Sequence, residues 1–453
     1  MTDRRSPAGA LAAAPSYGRL LIGAGIVLLV GTLAISAALA PAIGSPAPAG
    51  ERNGTLTLVG SQGGGPGWHQ YGSVYLLNGS EVVWQEASAE SYFDVTRTGN
   101  GTILAGFMEG GYEACGAFDP PCVRTGFRAI DPRSTEGPPR VIEEYSFPVR
   151  TRSNSEVHDV EQLDSGEYLL TDMDSERIFT VQDGEITWQW NASSFYDAPP
   201  DPTRTDWLHI NDVDVIAEGR YLVSVRNANQ LLILERGKGV VEVINEDTTD
   251  RNDANCQGSG GLRDTDGDGD VRCGDPSVLD HQHNPQYLGD GAILVADSEN
   301  DRVVELHEEG GEWTVAWRLE RTGDVALSWP RDADRLPNGN TLITDTLNKR
   351  LVEVNGSGAA VWSYGTDRIP YEADRLPIGE AVGGPTYSDT ATGEPRAGSG
   401  LPVLSTLLVG VQAVYPALPF WFDEGQLLLV LVSLGLLAGG IALVVRGRVW
   451  RNR

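Results

Sequence analysis

The chain has 453 residues, 40 % of them hydrophobic, with 63 acidic against 34 basic side chains and a formal net charge of −29. That is enough apolar material for one large domain or a few ordinary ones, and the negative charge argues against a nucleic-acid partner, whose phosphates it would repel. Lys238 and Lys349 are the only lysines; an acidic, arginine-based chain suits concentrated salt, where counterions screen self-repulsion, so a halophilic source is expected, with an ordinary acidic secreted protein as the alternative.

Residues 1–19 carry Arg4, Arg5 and Arg19 and precede an uncharged apolar run over 20–43. The run is long enough to cross a bilayer as a helix, and the arginines predict a cytoplasmic N-terminus. Ala38-Leu39-Ala40 also resembles a signal-peptide cleavage site. Pro41 directly after it hinders cleavage, which favours an uncleaved anchor.

Between residues 54 and 365 the chain repeats itself. HDVEQLDSGEYLLTDMDSERIFTV from His158, NDVDVIAEGRYLVSVRNANQLLIL from Asn211, HNPQYLGDGAILVADSENDRVVEL from His283 and RDADRLPNGNTLITDTLNKRLVEV from Arg331 align, and FDVTRTGNGTILAGF from Phe93 matches over its first half. Each reads as strand, Gly-containing turn, apolar strand, polar turn and alternating strand. Tryptophan-bearing fourth strands follow in ITWQW, WTVAW and AVWSY, and YGSVYLLNGSEVVWQ supplies the outer strands of one more unit. Four-stranded units at this spacing predict an all-β, six-bladed β-propeller, with blades starting near residues 54, 92, 157, 209, 283 and 331. A β-sandwich or a β-helix is the structural alternative.

Cys115 with Cys122 and Cys256 with Cys273 read as two local disulfides, which places the domain outside the cell. Zinc is disfavoured because no C-x-x-C spacing occurs. The insert over 247–280 contains DTDGDGD, and Asp264, Asp266, Asp268 and Asp270 alternate there with Asp275 at the twelfth position of the loop. This pattern suggests an EF-like structural calcium site, against the alternative of a salt-adapted acidic loop. After a linker over 366–400, residues 401–421 form an apolar segment interrupted by Pro416 and Pro419, read as interfacial. A second membrane span is expected over 427–445. The basic tail 446–453 then predicts a cytoplasmic C-terminus.

The first strand of each propeller blade lines the central channel, so aligned positions form a ring. That position reads Phe93, His158, Asn211, His283 and Arg331. His209 and His281 lie two residues earlier, so strand alternation would put them on the same face. Arg226 sits on the second strand of its blade, just past the turn from His209. His69 and His307 lie off the ring and read as ordinary. The bland reading of the ring is a satisfied polar channel.

His158-Asp159, WLHINDVDV, SVRNANQ and QHNPQYL, in this order and spacing, resemble the nucleotide-independent arylsulfotransferases of bacterial and archaeal type, which are six-bladed propellers. The resemblance covers roughly residues 150–365, and more loosely 54–150. It implies that His283 is the nucleophile carrying the sulfuryl group, that His158, His209, Asn211 and Arg226 hold its oxygens, and that no cofactor is required for catalysis. The substrates implied are an aryl sulfate ester and a phenolic acceptor. Arg331, placed on the ring by the repeat, is a further anion-binding candidate. The membrane anchors and the disulfide-flanked insert depart from the family's soluble members, and the oligomeric state stays open. Two other readings stand beside this one. One is a non-catalytic cell-surface propeller that binds an anion or a protein. The other is a propeller lactonase or quinone-dependent dehydrogenase, disfavoured because lactonase-type sites gather carboxylates around a metal whereas this ring is His, Arg and Asn.

Overall fold

The computed structural model describes residues 7–40, 54–64, 67–132, 138–202, 205–247, 249, 253–259, 262–264, 267, 269–289, 291–387 and 402–451. Its helices are α1 (Pro7–Leu39), α2 (Asp253–Ser259), α3 (Pro402–Val414) and α4 (Glu424–Arg451). The chain forms two units, one from 1–42 with 396–453 and the other from 43–395.

The larger unit is a six-bladed β-propeller of four-stranded antiparallel sheets. Blade 2 runs through Ser91–Arg97, Ile103–Tyr112, Cys122–Asp131 and Arg140–Val149. Blades 3 to 6 begin with the inner strands Val160–Gln162, Ile210–Ala217, His283–Gly289 and Pro330–Arg335. The tryptophan motifs form outer strands as expected, at Glu185–Asn191, Glu312–Leu319 and Ala360–Gly365.

Blade 1 corrects the expected boundaries. Its three outer strands are Leu56–Gly63, Ser73–Asn78 and Glu81–Glu86, but its inner strand is Ile369–Leu376, paired antiparallel to Leu56–Gly63. The propeller therefore does not end at 365, and the first part of the expected 366–400 linker is structural. Joining the two ends of the domain in one sheet removes two exposed strand edges. The YEADRL sequence within Ile369–Leu376 matches RDADRL of blade 6, which was the available sign of a sixth inner strand.

Apolar residues alternate along the strands and meet between blades. Leu104, Phe127 and Ala129 of blade 2 pack with Leu170, Phe179 and Val181 of blade 3, while Val59, Tyr75 and Leu77 of blade 1 pack with Leu342, Leu351 and Trp362 of blade 6. An ion pair locks the turn between the second and third strands of three blades: Asp172–Arg177 at 2.7 Å, Asp297–Arg302 at 2.6 Å and Asp345–Arg350 at 2.6 Å. In blade 4 the paired positions hold Val225 and Gln230 instead. Cys115–Cys122 and Cys256–Cys273 both form disulfides, the latter joining α2 to the far end of the insert.

In the smaller unit α1 and α4 pack antiparallel. Gly18 lies against Gly440 and Val444, and Gly25 against Ser433 and Leu437, where an added Cβ would fall under 3.0 Å from its neighbours. Gln426 Nε2 donates to Ser36 Oγ at 3.0 Å. Small residues at such a crossing are typical of helix pairs in lipid. Ser16–Leu39 and Glu424–Val449 are both long and apolar enough to span a membrane. Arg446, Arg448 and Arg451, expected in a tail after residue 445, belong to α4, which continues through Arg451, while Arg453 lies outside the described residues.

Candidate functional site

The six inner strands bring the aligned residues together at the end of the channel where those strands begin. The ring reads Phe93, His158, Asn211, His283, Arg331 and, from the closing strand, Tyr371. The His158 ring lies 4.7 Å from Phe93, 5.0 Å from Tyr371 and 5.8 Å from His209, and Tyr371 lies 6.2 Å from His283. Tyr371 is fully buried and its hydroxyl has no hydrogen-bond partner among the described residues. Sequence reading missed it because its strand lay beyond the assumed end of the propeller.

His283 is held in one tautomer. Its Nδ1 lies 2.8 Å from Ser298 Oγ and 3.1 Å from the carbonyl oxygen of His281. A carbonyl only accepts, and the Ser298 hydroxyl donates to Pro330 O at 2.6 Å. Nδ1 therefore carries the proton and Nε2 keeps its lone pair. Burial, reinforced by Arg331 and Arg226, holds the His283 pKa well below the ordinary value, so the imidazole is neutral at physiological pH. Ser298 occupies the same turn position in blade 5 that Arg226 occupies in blade 4. The repeat that singled out Arg226 thus also contained the signal for Ser298.

His209 and His281 reach the site differently from the expected strand alternation. Both precede their strands with left-handed backbones, at φ 56° and 50°, which are uncommon for non-glycine residues and need support. Glu176 Oε1 accepts from the His209 amide at 2.8 Å, and Asn229 Oδ1 accepts from the His281 amide at 3.0 Å. Trp329 stands at the equivalent place in blade 6, with φ 49° and its amide bonded to Asp301 at 2.8 Å. Each entry residue is thus gripped by the turn of the preceding blade. His209 Nδ1 is 2.9 Å from Asp206, whose carboxyl is held below its usual pKa although burial opposes this, because His209 sits beside it. An ionised Asp206 accepts a hydrogen bond from the Nδ1–H and leaves His209 Nε2 as the basic atom.

Arg331 is buried among the rings of Trp68, Trp329 and Tyr371, its guanidinium 5.0–5.1 Å from their centroids. It donates to Gln62, and its Nε has no partner among the described residues. Among the described residues no carboxylate forms an ion pair with it. Burial lowers its pKa to about 10, so it remains charged. Arg226 Nη1 donates to Asn227 at 2.8 Å, and its Nη2 is 3.8 Å from Glu299. Asn211 Nδ2 donates to Gln282 O at 2.9 Å, leaving Oδ1 without a partner.

His69, read from sequence as ordinary, belongs to this cluster. Its Nε2 is 3.3 Å from Glu156 and its ring 6.4 Å from Phe93. Burial brings its pKa down to about 4 and raises that of Glu156 to about 7. His69 comes from the connection between the first two strands of blade 1, which carries no repeat signature. His307 lies off the ring, 2.7 Å from Glu305.

One residue further along each inner strand the chemistry reverses. The positions after the ring are Asp94, Asp159, Asp212, Asn284, Asp332 and Glu372. The contrast drawn from sequence between a His/Arg/Asn ring and a carboxylate-lined channel is therefore corrected: the channel has both, in successive layers. Burial raises the carboxylate pKa values, those of Asp159 and Asp332 to about 7.

The acidic insert does not show the expected five-residue calcium set, because Asp266 and Asp268 lie outside the described residues. Asp264 accepts from the amides of Gly267 at 2.6 Å and Gly269 at 3.1 Å, and Asp275 Oδ1 from that of Ser277 at 2.8 Å. Asp270 is partly buried.

No family model and no curated protein matches the chain. Among solved structures it is similar to a protein of unknown function from Bacteroides caccae, at TM-score 0.46 and 15 % identity over 71 % of this chain and 99 % of that one. It is also similar to the periplasmic gluconolactonase of Pseudomonas aeruginosa, at TM-score 0.40 and 12 % identity over 72 % and 99 %. A third is virginiamycin B lyase from Staphylococcus aureus, at TM-score 0.39 and 9 % identity over 70 % and 86 %. At these levels the activities named belong to those proteins alone.

Proposed function

We propose that this is a membrane-anchored sulfuryl transferase of arylsulfotransferase type, with the propeller on the outer side of the membrane. The observation that carries the reading is the His283 tautomer: a buried neutral imidazole with a lone pair on Nε2, beside an arginine that has no ion-pair partner among the described residues. Nε2 attacks the sulfur of an aryl sulfate ester, the sulfur–oxygen bond to the aryl group breaks, and the phenolate leaves with the electron pair. A phenolic acceptor then attacks sulfur, the nitrogen–sulfur bond breaks, and His283 regains its lone pair. The acceptor's proton passes to His209 Nε2. Negative charge spreads over the equatorial oxygens during both transfers, and Arg331, Arg226, Asn211, His158 and the Tyr371 hydroxyl supply donors that suit it in a shielded site. The outward placement rests on the two disulfides, which persist on an oxidising side.

The test uses the full chain in detergent and high salt, incubated with an aryl sulfate. Intact mass spectrometry should show a gain of one sulfuryl group, lost again when phenol is added. Bound sulfate without any covalent gain from several aryl sulfates would replace the enzyme with an anion-binding surface propeller.

Ser298 acts here as a positioning residue. Ser298→Ala should slow adduct formation about tenfold, the value of one hydrogen bond of roughly 1.4 kcal/mol, and Ser298→Thr should restore it. Equal rates in the wild type and the alanine variant would remove the tautomer argument.

A further inference from the structure

Backbone amides of the following blade satisfy some of the carboxylates below the histidine ring and leave one without a donor, and the repeat shows why. Asp94 Oδ2 accepts from the Val160 amide at 3.4 Å, Asp159 Oδ2 from Val213 at 2.7 Å, and Asp332 Oδ2 from Ala373 at 3.0 Å. In each case the donor is the following blade's inner strand. At Asp212 the corresponding residue of the next blade is Pro285, which has no N–H to give. Asp212 is 4 % exposed and its Oδ2 has no partner among the described residues. Asn284, 5 % exposed, donates to Glu372 Oε2 at 3.4 Å while its Oδ1 is left without a partner.

A further carboxylate is driven into this cluster. After the closing strand the chain is tied to blades 5 and 6 through Gln286 Nε2 to Ala381 O at 2.9 Å, the Gly383 amide to Tyr287 O at 2.8 Å, and Arg335 Nη1 to Pro385 O at 2.6 Å. Between the closing strand and these ties stands Glu380. Its carboxylate oxygen lies within 4.8 Å of those of Asp94 and Glu372, and likewise of those of Glu161 and Asp214. Gathering buried like charges is costly without a counter-charge.

We propose that this end of the channel is a calcium site, with Glu380 as the ligand shared by two groups of carboxylates and with Asp212 and Asn284 offering their unpartnered oxygens. The donors are all oxygen, without the nitrogen or sulfur that a transition metal prefers. Their number and irregular placement suit calcium, which accepts six to eight oxygens, better than magnesium, which demands an octahedron and keeps its waters. The cation would tie the inner strands of blades 1 to 5 beneath the anion-binding ring. This site is separate from the acidic insert and does not depend on the proposed activity.

The experiment uses the full chain in detergent and potassium chloride, stripped with chelator and then titrated with calcium alone. Bound metal is measured by atomic emission after dialysis, and unfolding is followed by circular dichroism. At about a hundredfold excess over Kd the unfolding midpoint should rise by roughly 5 °C. At least one calcium should survive dialysis, and Glu380→Gln should lose it. Should Glu380→Gln fail to fold, Asn284→Asp provides the second arm: an added carboxylate should raise calcium affinity at least tenfold. No retained calcium and no midpoint shift in the wild type would overturn the proposal. So would undiminished calcium in a folded Glu380→Gln protein, unchanged affinity in Asn284→Asp, or an equal shift with magnesium.

Discussion

Replacing His283 with alanine should abolish the sulfuryl adduct and reduce transfer from an aryl sulfate to phenol by about a thousandfold or more, as expected when a covalent nucleophile is removed. His281→Ala should leave the adduct detectable, because what His281 gives to His283 is a backbone carbonyl, which alanine keeps. A His281→Ala protein without adduct, beside a His283→Ala protein that still forms one, would reverse the assignment. The pH dependence supplies an independent check. The neutral imidazole is the reactive form, and its folded pKa lies well below the ordinary 6.5. Adduct formation should therefore stay level as pH falls from about 8 through 6.5, and decline only in more acidic solution. A twofold loss near pH 6.5 would mean that His283 is solvated and titrates normally.

The site was partly readable before the fold was known because a propeller turns sequence register into spatial proximity. Aligning four repeats was enough to put His158, Asn211, His283 and Arg331 in one ring, and the structure assembles that ring. Tyr371 escaped because the blade that closes the circle is discontinuous in sequence, and no local pattern says which strand closes it. The histidines just ahead of the strands were placed near the ring for the wrong reason. Their left-handed backbones depend on hydrogen bonds from the preceding blade, through Glu176 and Asn229, and such long-range support has no periodicity to detect. His69 reached the cluster from an irregular connection and was equally invisible. The carboxylate layer was in plain view as the residue after each ring position. Its meaning appeared only when those residues proved buried, since sequence alone could assign the same aspartates to a surface adapted to salt. The −29 charge is thus partly an interior property, which weakens composition as an argument about the salinity of the source.

Arg335 should prove among the most costly side chains to remove for stability alone. It and Glu305 form an ion pair at 2.9 Å with both side chains fully buried. Arg335 Nε also donates to Thr341 at 3.0 Å, and its guanidinium lies 3.7 Å from the centre of the Tyr387 ring. Glu305 Oε1 accepts from the Tyr387 amide at 2.8 Å. Arg335→Met keeps much of the volume but leaves a buried carboxylate without its arginine, held only by the His307 imidazole and the Tyr387 amide, a change that costs up to about 3–5 kcal/mol. The double variant Arg335→Met with Glu305→Leu should recover part of that loss, because neither charge is then stranded. Denaturant unfolding of the three proteins in detergent separates the contributions: a double variant no more stable than Arg335→Met would show that packing against Tyr387 and Trp317, not charge, dominates. The same arginine fixes the segment that follows Glu380 through Pro385 O. If the channel holds calcium, the folded fraction of Arg335→Met should bind it more weakly, because a loosened segment no longer presents Glu380 in place. Stability and cation binding would then fall together in one variant that touches neither the ring nor the carboxylates, linking the closure of the propeller to the charge at its axis.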